Sequence, residues 1–310
     1  MKTDLLKNEP LYKLWEKIVK NSRIVTKPNK PGEWNEQAYH LSLYGRGGEE
    51  TLNFLYSKQP TYEAFVDWIL LAHQPAKMEF PKENVLTKED WDFWNSNGYL
   101  VVKNAVPAAQ CEAAQAAIWE FLDADIADPE SWYKADDGKN GLMLHLFQHS
   151  SLANNRNSPL IRKVYQELYG ETDIYLLVDK VSFNPPERGS YSFHGSALHW
   201  DVSLQLPIPF VLQGLLYLND VAAGDGAFHC VPGFHTQINE WLASLPADVN
   251  PRQEAVKQLK PVPVPGNAGD FIIWHQALPH CATPNKGSLP RMVQYMAYKP
   301  VQMPESAVWI

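Results

Sequence analysis

From Pro209 to His235 the chain reads PFVLQGLLYLNDVAAGDGAFHCVPGFH. Two apolar runs, one rich in Leu and one centred on Phe228, are bounded by Asn219-Asp220, a Gly/Asp-containing link at 222–226 and Pro232-Gly233. Such runs fit a pleated, buried surface, and Gly, Asn, Asp and Pro stop it in turns, so the stretch predicts two short strands. The same pattern continues on both sides in DIYLLVDKVSF (173–183), ALHWDVSLQL (197–206), GDFIIWH (269–275) and RMVQYMAY (291–298), separated by NPPERG, LPIP and PNKGSLP. Short strands punctuated at this density predict an antiparallel barrel or jelly roll, a mainly β fold with flanking helices. The one long helical candidate within the region is INEWLASL (238–245), continuing to about Gln258 as an insertion between strands.

Upstream the character differs. Residues 1–85 read as a helical extension: in PTYEAFVDWILLA, Tyr62, Phe65, Val66 and Ile69 fall at i, i+3, i+4 and i+7, one face of an amphipathic helix. The segment GRGGEE (45–50) lacks the following Lys-Ser/Thr of a phosphate loop and is expected to be a flexible turn. A second unit, 86–310, opens with Thr87 as a helix cap ahead of Glu89 and Asp90. That helix should stop at Asn97-Gly98; YLVV then reads as a strand, and Pro107 opens an Ala-rich helix.

The 310 residues carry a net charge of -8, which argues against a nucleic-acid surface and against anionic membranes as partners. Cys111, Cys230 and Cys281 are odd in number and unpaired in spacing, so neither a disulfide framework nor a zinc site is expected, and a reducing compartment is. The first twenty residues are broken by charge every few positions, unlike a signal peptide, and no run is long enough to span a bilayer. A cytoplasmic enzyme for a small-molecule substrate is the resulting expectation.

Chemistry concentrates in His199-Trp200-Asp201. In a strand His199 and Asp201 share one face and Trp200 takes the other, giving two-thirds of a facial triad that leaves positions on a metal open. The tripeptide alone is weak evidence, since chance supplies it often. Downstream, His280 follows the GDFIIWH strand in a short connection, and Arg291 opens the next strand. A guanidinium binds a carboxylate bidentately, so Arg291 is a natural clamp for a dicarboxylate near a metal.

Taken together, the H-x-D triplet, GAFHCVPGFH after YLND, the closing GDFIIWH…H…N…R and the entry LTKEDWDFWNSNGYLVVKNAV resemble the phytanoyl-CoA dioxygenase family over about Leu86 to Pro300. The resemblance implies a double-stranded β-helix (a cupin-like jelly roll) and a requirement for Fe(II), 2-oxoglutarate and O2. It implies His199, Asp201 and His280 as metal ligands and catalytic centre, with Arg291 on the far carboxylate of 2-oxoglutarate. Asn285, Gly226, Pro232 and Gly233 fall on the family's Asn and turn residues. One departure is Ala282, where many members carry Ser; Thr283 is the expected substitute hydroxyl. The implied reaction hydroxylates a substrate and releases succinate and CO2.

Lys180 and Arg188, ahead of the triplet, are further candidates to contact an anionic group. His194 is a competing ligand; His275 is expected to pack or to support the ligands, and His229 and His235 to be structural. His145 and His149 have helical i, i+4 spacing and are expected on a partly buried helix face. Of eleven tryptophans, Trp132, Trp200 and Trp274 are candidate pocket walls, though most should be core. Two alternative functions stand beside the oxygenase: an iron halogenase, which Asp201 disfavours because that chemistry replaces the carboxylate with Ala or Gly, and a cupin-like barrel that binds a metal or ligand without turnover.

Overall fold

A computed structural model describes residues 2–20, 32–73, 81–133, 143–189, 191, 193 and 195–302. Helices α1 (Lys2–Leu6), α2 (Glu9–Trp15), α3 (Glu33–Ser42), α4 (Gly48–Lys58) and α5 (Tyr62–Leu70) form the N-terminal layer. They share a core of their own in which Leu11, Leu41, Leu55 and Phe65 are fully buried. The predicted α5 face is there: Phe65, Val66 and Ile69 are buried, Tyr62 packs against them, and Thr61 caps the helix by accepting the Ala64 N–H.

GRGGEE is not the flexible turn expected from its glycines. Gly47 caps α4, and Arg46 is buried, paired with Glu50 at 3.2 Å and stacked 3.8 Å over the Trp68 ring. Glycine is required at 47 because a Cβ would lie 2.2 Å from the Val178 carbonyl oxygen, so backbone meets backbone where this layer docks on the barrel.

The helix predicted after Thr87 is present. α6 (Lys88–Asn97) starts at a reciprocal box in which Thr87 Oγ1 accepts the Asp90 N–H and the Asp90 carboxylate accepts the Thr87 N–H, and it ends at Gly98 with φ +74°. β1 (Tyr99–Val102) leads to α7 (Ala108–Leu122), then β2 (Met143–Leu144), α8 (Ser150–Arg156) and α9 (Pro159–Tyr169). β3 (Ile174–Asn184), β4 (Leu212–Tyr217), β5 (Phe228–Cys230), β6 (Val262–Val264), β7 (Phe271–His275), β8 (His280–Cys281) and β9 (Arg291–Pro300) complete the strands. The insertion between β5 and β6 is two helices rather than one, α10 (Phe234–Ser244) and α11 (Pro251–Gln258), because Pro246 and Pro251 interrupt it.

The strands form a six-stranded sheet in the order β1-β7-β4-β9-β3-β2 and a three-stranded sheet in the order β6-β5-β8, antiparallel throughout. This is the double-stranded β-helix, with one apolar core between the large sheet and helices α7 to α9 and another between the sheets. Residues 197–206 are not the regular strand that their alternation predicts: only His199 pairs, through a single bridge to His280. β3 carries a bulge, since Val178 faces Met296 and Val181 faces Gln294, leaving two residues opposite Tyr295. Among the described residues no helix is long and apolar enough to cross a membrane.

Candidate metal centre

The bridge that replaces the expected strand brings the two imidazoles together. His199 N–H donates to the His280 carbonyl and His280 N–H to the His199 carbonyl, both at 2.9 Å, and the ring centroids lie 4.6 Å apart. Asp201, two residues on, faces the same way, while Trp200 turns into the core and donates its indole N–H to the Ala277 carbonyl. One ligand atom from each of His199, Asp201 and His280 falls within 4.8 Å of the others.

Both rings are oriented for metal binding. Nδ1–H of His199 donates to the Ala197 carbonyl at 2.8 Å and Nδ1–H of His280 to the Leu278 carbonyl at 3.3 Å, which fixes the tautomer leaving each Nε2 lone pair toward Asp201. Those Nε2 atoms stand 3.4 and 3.2 Å from the carboxylate oxygens. Electron-rich atoms this close repel unless a proton or cation lies between them, so the donor set fits a divalent ion. Where a proton takes the ion's place on each Nε2, burial would raise the Asp201 carboxyl, but hydrogen bonds from the protonated His199 and His280 and from Gln213 outweigh it and hold the group well below the ordinary carboxylate range. Burial disfavours a charged His199, yet the Asp201 carboxylate and Ala197 carbonyl prevail and raise it.

Support comes from residues that sequence reasoning passed over. Gln213 donates from Nε2 to Asp201 at 2.8 Å and accepts the Trp274 indole N–H at Oε1, 3.1 Å. Because indole only donates and carboxylate only accepts, this relay fixes the amide orientation. Gln213→Leu should therefore weaken Fe(II) binding by about tenfold to a hundredfold through a loosened carboxylate; an unchanged metal titration would remove Gln213 from that role. Its signal in the sequence is a polar residue inside an otherwise apolar strand. On the opposite side, Arg252 of α11 donates to the carbonyls of Trp200 and Val202 at 2.8 and 2.6 Å, gripping the backbone around Asp201.

Arg291 lines the same cavity, which measures about 850 Å3. It is 1% exposed, donates from Nη2 to Ser182 Oγ at 2.8 Å, and leaves Nε and Nη1 without a hydrogen-bond partner. A buried guanidinium with unpaired donors is costly unless an anion occupies its fork, so the site fits a carboxylate. Asn285 is fully buried and staples the approach, donating to the carbonyls of Asn184 and Leu289 and accepting the Gly287 N–H. Gly226 has φ +73°, and a Cβ there would meet Asn184 Nδ2 at 2.4 Å.

Other expected residues stand elsewhere. Lys180 is ion-paired with Glu49 of α4 at 2.5 Å and does not line the cavity. Thr283 does not line it either: its hydroxyl lies 3.4 Å from His229 Nδ1, and Ala282 faces the cavity instead. Ser182, unremarked in the sequence, supplies the hydroxyl on Arg291. Arg188 pairs with Glu130. His145 and His149 share no helix face: His145 lies outside any helix or strand and His149 is the N-cap of α8, accepting the Ser151 N–H. His194 falls outside the described residues. His275 packs between Phe210 and His235, and burial lowers it to about 4. Of the three tryptophans singled out, Trp274 lines the cavity, whereas Trp132 and Trp200 are core.

The large-sheet architecture is shared with solved structures. The non-haem alpha-ketoglutarate-dependent carbocyclase SnoK from nogalamycin biosynthesis is 21% identical with a TM-score of 0.51, covering 69% of this chain and 84% of that one. EctD from S. alaskensis, solved with 2-oxoglutarate and 5-hydroxyectoine, is 17% identical with a TM-score of 0.50, covering 74% and 83%. A Dictyostelium discoideum protein bearing the phytanoyl-CoA dioxygenase name is 22% identical over 263 residues, 68% of this chain and 74% of its own length. The family model described as phytanoyl-CoA dioxygenase (PhyH) matches residues 94–293, a span running from α6 to the start of β9 that contains the bridged histidines, Asp201 and Arg291. On that match, covering well over half of the molecule, the chain belongs to the phytanoyl-CoA dioxygenase family of Fe(II)/2-oxoglutarate-dependent oxygenases.

Proposed function

We propose that the protein hydroxylates a small molecule, with His199, Asp201 and His280 holding Fe(II) and Arg291 holding the distal carboxylate of 2-oxoglutarate. The observation that carries this reading is the presence, in one cavity, of a three-ligand set and a buried guanidinium with two unpaired donors. When bound, the metal and co-substrate supply the activation of O2: 2-oxoglutarate is oxidised to succinate and CO2, one oxygen atom goes into succinate and the other into a substrate C–H bond.

The chain's own residues bind, orient and exclude. His199, Asp201 and His280 would hold the metal where their ligand atoms converge, at the wall of the cavity. Gln213 and the backbone carbonyls of Ala197 and Leu278 keep the ligand atoms aimed at one point. Arg291, with Ser182 behind it, sets how deep a dicarboxylate can enter, and Phe228 and Trp274 wall the metal against bulk water. Asp201 keeps the carboxylate that iron halogenases replace with Ala or Gly, which favours hydroxylation over halogen transfer. The cavity has the volume expected for a small-molecule site and accommodates a second ligand beside the co-substrate.

The test is anaerobic loading of purified protein with Fe(II) and 2-oxoglutarate, followed by O2 and a metabolite screen for succinate release. A product heavier by one oxygen atom derived from labelled O2 is expected. Protein that neither binds nor consumes 2-oxoglutarate would favour a non-catalytic ligand-binding barrel.

A further inference from the structure

We propose that Asp179 is the recognition residue for the second molecule in the cavity, and that this molecule is an organic cation, a protonated amine or guanidinium, held beside the metal. The inference deepens the oxygenase reading and rests on it for what happens to the bound molecule.

The geometry begins with the bulge in β3. Two residues, Asp179 and Lys180, stand where regular pairing has room for one, opposite Tyr295. Bulges re-aim side chains, and here the two part company: Lys180 turns outward to Glu49, and Asp179 lines the cavity. The distortion is held in place on all sides. Arg156 of α8, 3% exposed, donates from Nη2 to the Asp179 carbonyl at 2.9 Å. The Lys180 N–H donates to Asp179 Oδ1 at 2.7 Å. From the N-terminal layer Gly47 lies against the Val178 carbonyl, where a methyl group would clash.

The carboxylate itself is left over. Arg156 grips its backbone rather than its oxygens, Lys180 is committed to Glu49, and Asp179 forms no ion pair among the described residues. Burial pushes its carboxyl above the ordinary range, against the smaller downward pull of the Lys180 N–H and of the Lys180 and Arg156 charges. A bulge needing only an acceptor for one N–H is served by Asn or Ser, without the cost of enclosing a charge. Asp179 is not one of the clustered metal ligands. It does not suit 2-oxoglutarate either, because a carboxylate repels a dicarboxylate. The co-substrate's anchor is also set apart along the sheet: Arg291 starts four residues along β9 from Tyr295, or about 13 Å of strand, and the Tyr295 side chain, which interacts with both, stands between it and Asp179.

Besides Arg291 and Asp201, the charged residues in the cavity wall are Asp179 and Lys299. Lys299 is four residues beyond Tyr295 on β9, opposite Tyr175, so it marks the far end of the cavity from Arg291. The stretch around Asp179 is therefore the acidic part, flanked by apolar Leu177 and Ala297 and by Tyr295. That combination selects a small alkyl-bearing cation.

The test uses the full chain loaded with Fe(II) and 2-oxoglutarate, and a matched panel: n-hexylamine, hexylguanidine and hexyltrimethylammonium beside 1-hexanol, hexanamide and hexanoate. Binding is read from the shift in thermal unfolding midpoint with concentration, and turnover from succinate released above the substrate-free rate. The cations are expected to bind about tenfold or more tighter than their neutral isosteres, with hexanoate weakest. In Asp179→Asn that preference should fall to about twofold or less while the response to 1-hexanol is retained. Neutral compounds or hexanoate binding as well as the cations to the wild-type protein would overturn the proposal, as would an Asp179→Asn variant that keeps the preference. If the variant does not fold, the wild-type panel alone decides. Cation binding by protein that neither binds nor consumes 2-oxoglutarate would leave the cation site standing and remove the oxygenase reading instead.

Discussion

Asp201→Ala is expected to reduce iron-dependent turnover of 2-oxoglutarate by more than about a hundredfold while leaving the protein folded. The carboxylate would be the one anionic ligand in the cluster; it accepts a hydrogen bond from Gln213 and faces His280 Nε2 at 3.2 Å, so its loss would remove a ligand and free the group that aims it. The fold should survive because the Asp201 side chain is 50% exposed and fills no core position. His199→Ala should act in the same way, since the backbone bridge to His280 does not need the imidazole. Succinate release, set beside a circular-dichroism spectrum and a thermal midpoint, checks both. Turnover retained by a folded Asp201→Ala protein would show that the metal sits elsewhere.

Arg291→Ala is expected to raise the apparent KM for 2-oxoglutarate by about a hundredfold, with a smaller effect on kcat. A co-substrate carboxylate would meet two buried N–H donors that have no other partner, and deleting them strands that carboxylate without a counter-charge in a closed site. Arg291→Lys should fall between, because an ammonium keeps the charge and loses the fork. The pair separates a clamp from a structural arginine: if both variants retain the wild-type KM at normal stability, the guanidinium holds something other than the co-substrate.

Much of this architecture was legible in the chain. The Thr87 cap, the Gly98 stop and the β4, β5, β7 and β9 runs are local signals, and each carries its own mechanism in turn or strand chemistry. What escaped was long-range. The strand predicted around the H-x-D triplet is a single bridge, since its partner is a two-residue strand too short to leave a periodic signal. GRGGEE looked like a mobile turn because glycines report backbone freedom and not the close approach to Val178 that requires one of them. Lys180 and Thr283 were placed near the site by sequence proximity, and in each case a neighbour of opposite facing, Asp179 or Ala282, reaches the cavity instead. One extra residue in a strand reverses which side chain points inward, and no alternation pattern reveals it beforehand.

The reciprocal amide pairing of His199 with His280 has a consequence for how the centre is loaded. Asp201 and His280 are 79 residues apart in sequence, yet their convergence is secured by ordinary peptide hydrogen bonds that involve no ion. Iron would then enter a receptor already shaped for it, so chelators should strip the ion without melting the molecule, and apo and reloaded samples should give superimposable spectra. Unlike a zinc finger, whose chain collapses only around its ion, this barrel can exchange its metal as a replaceable part.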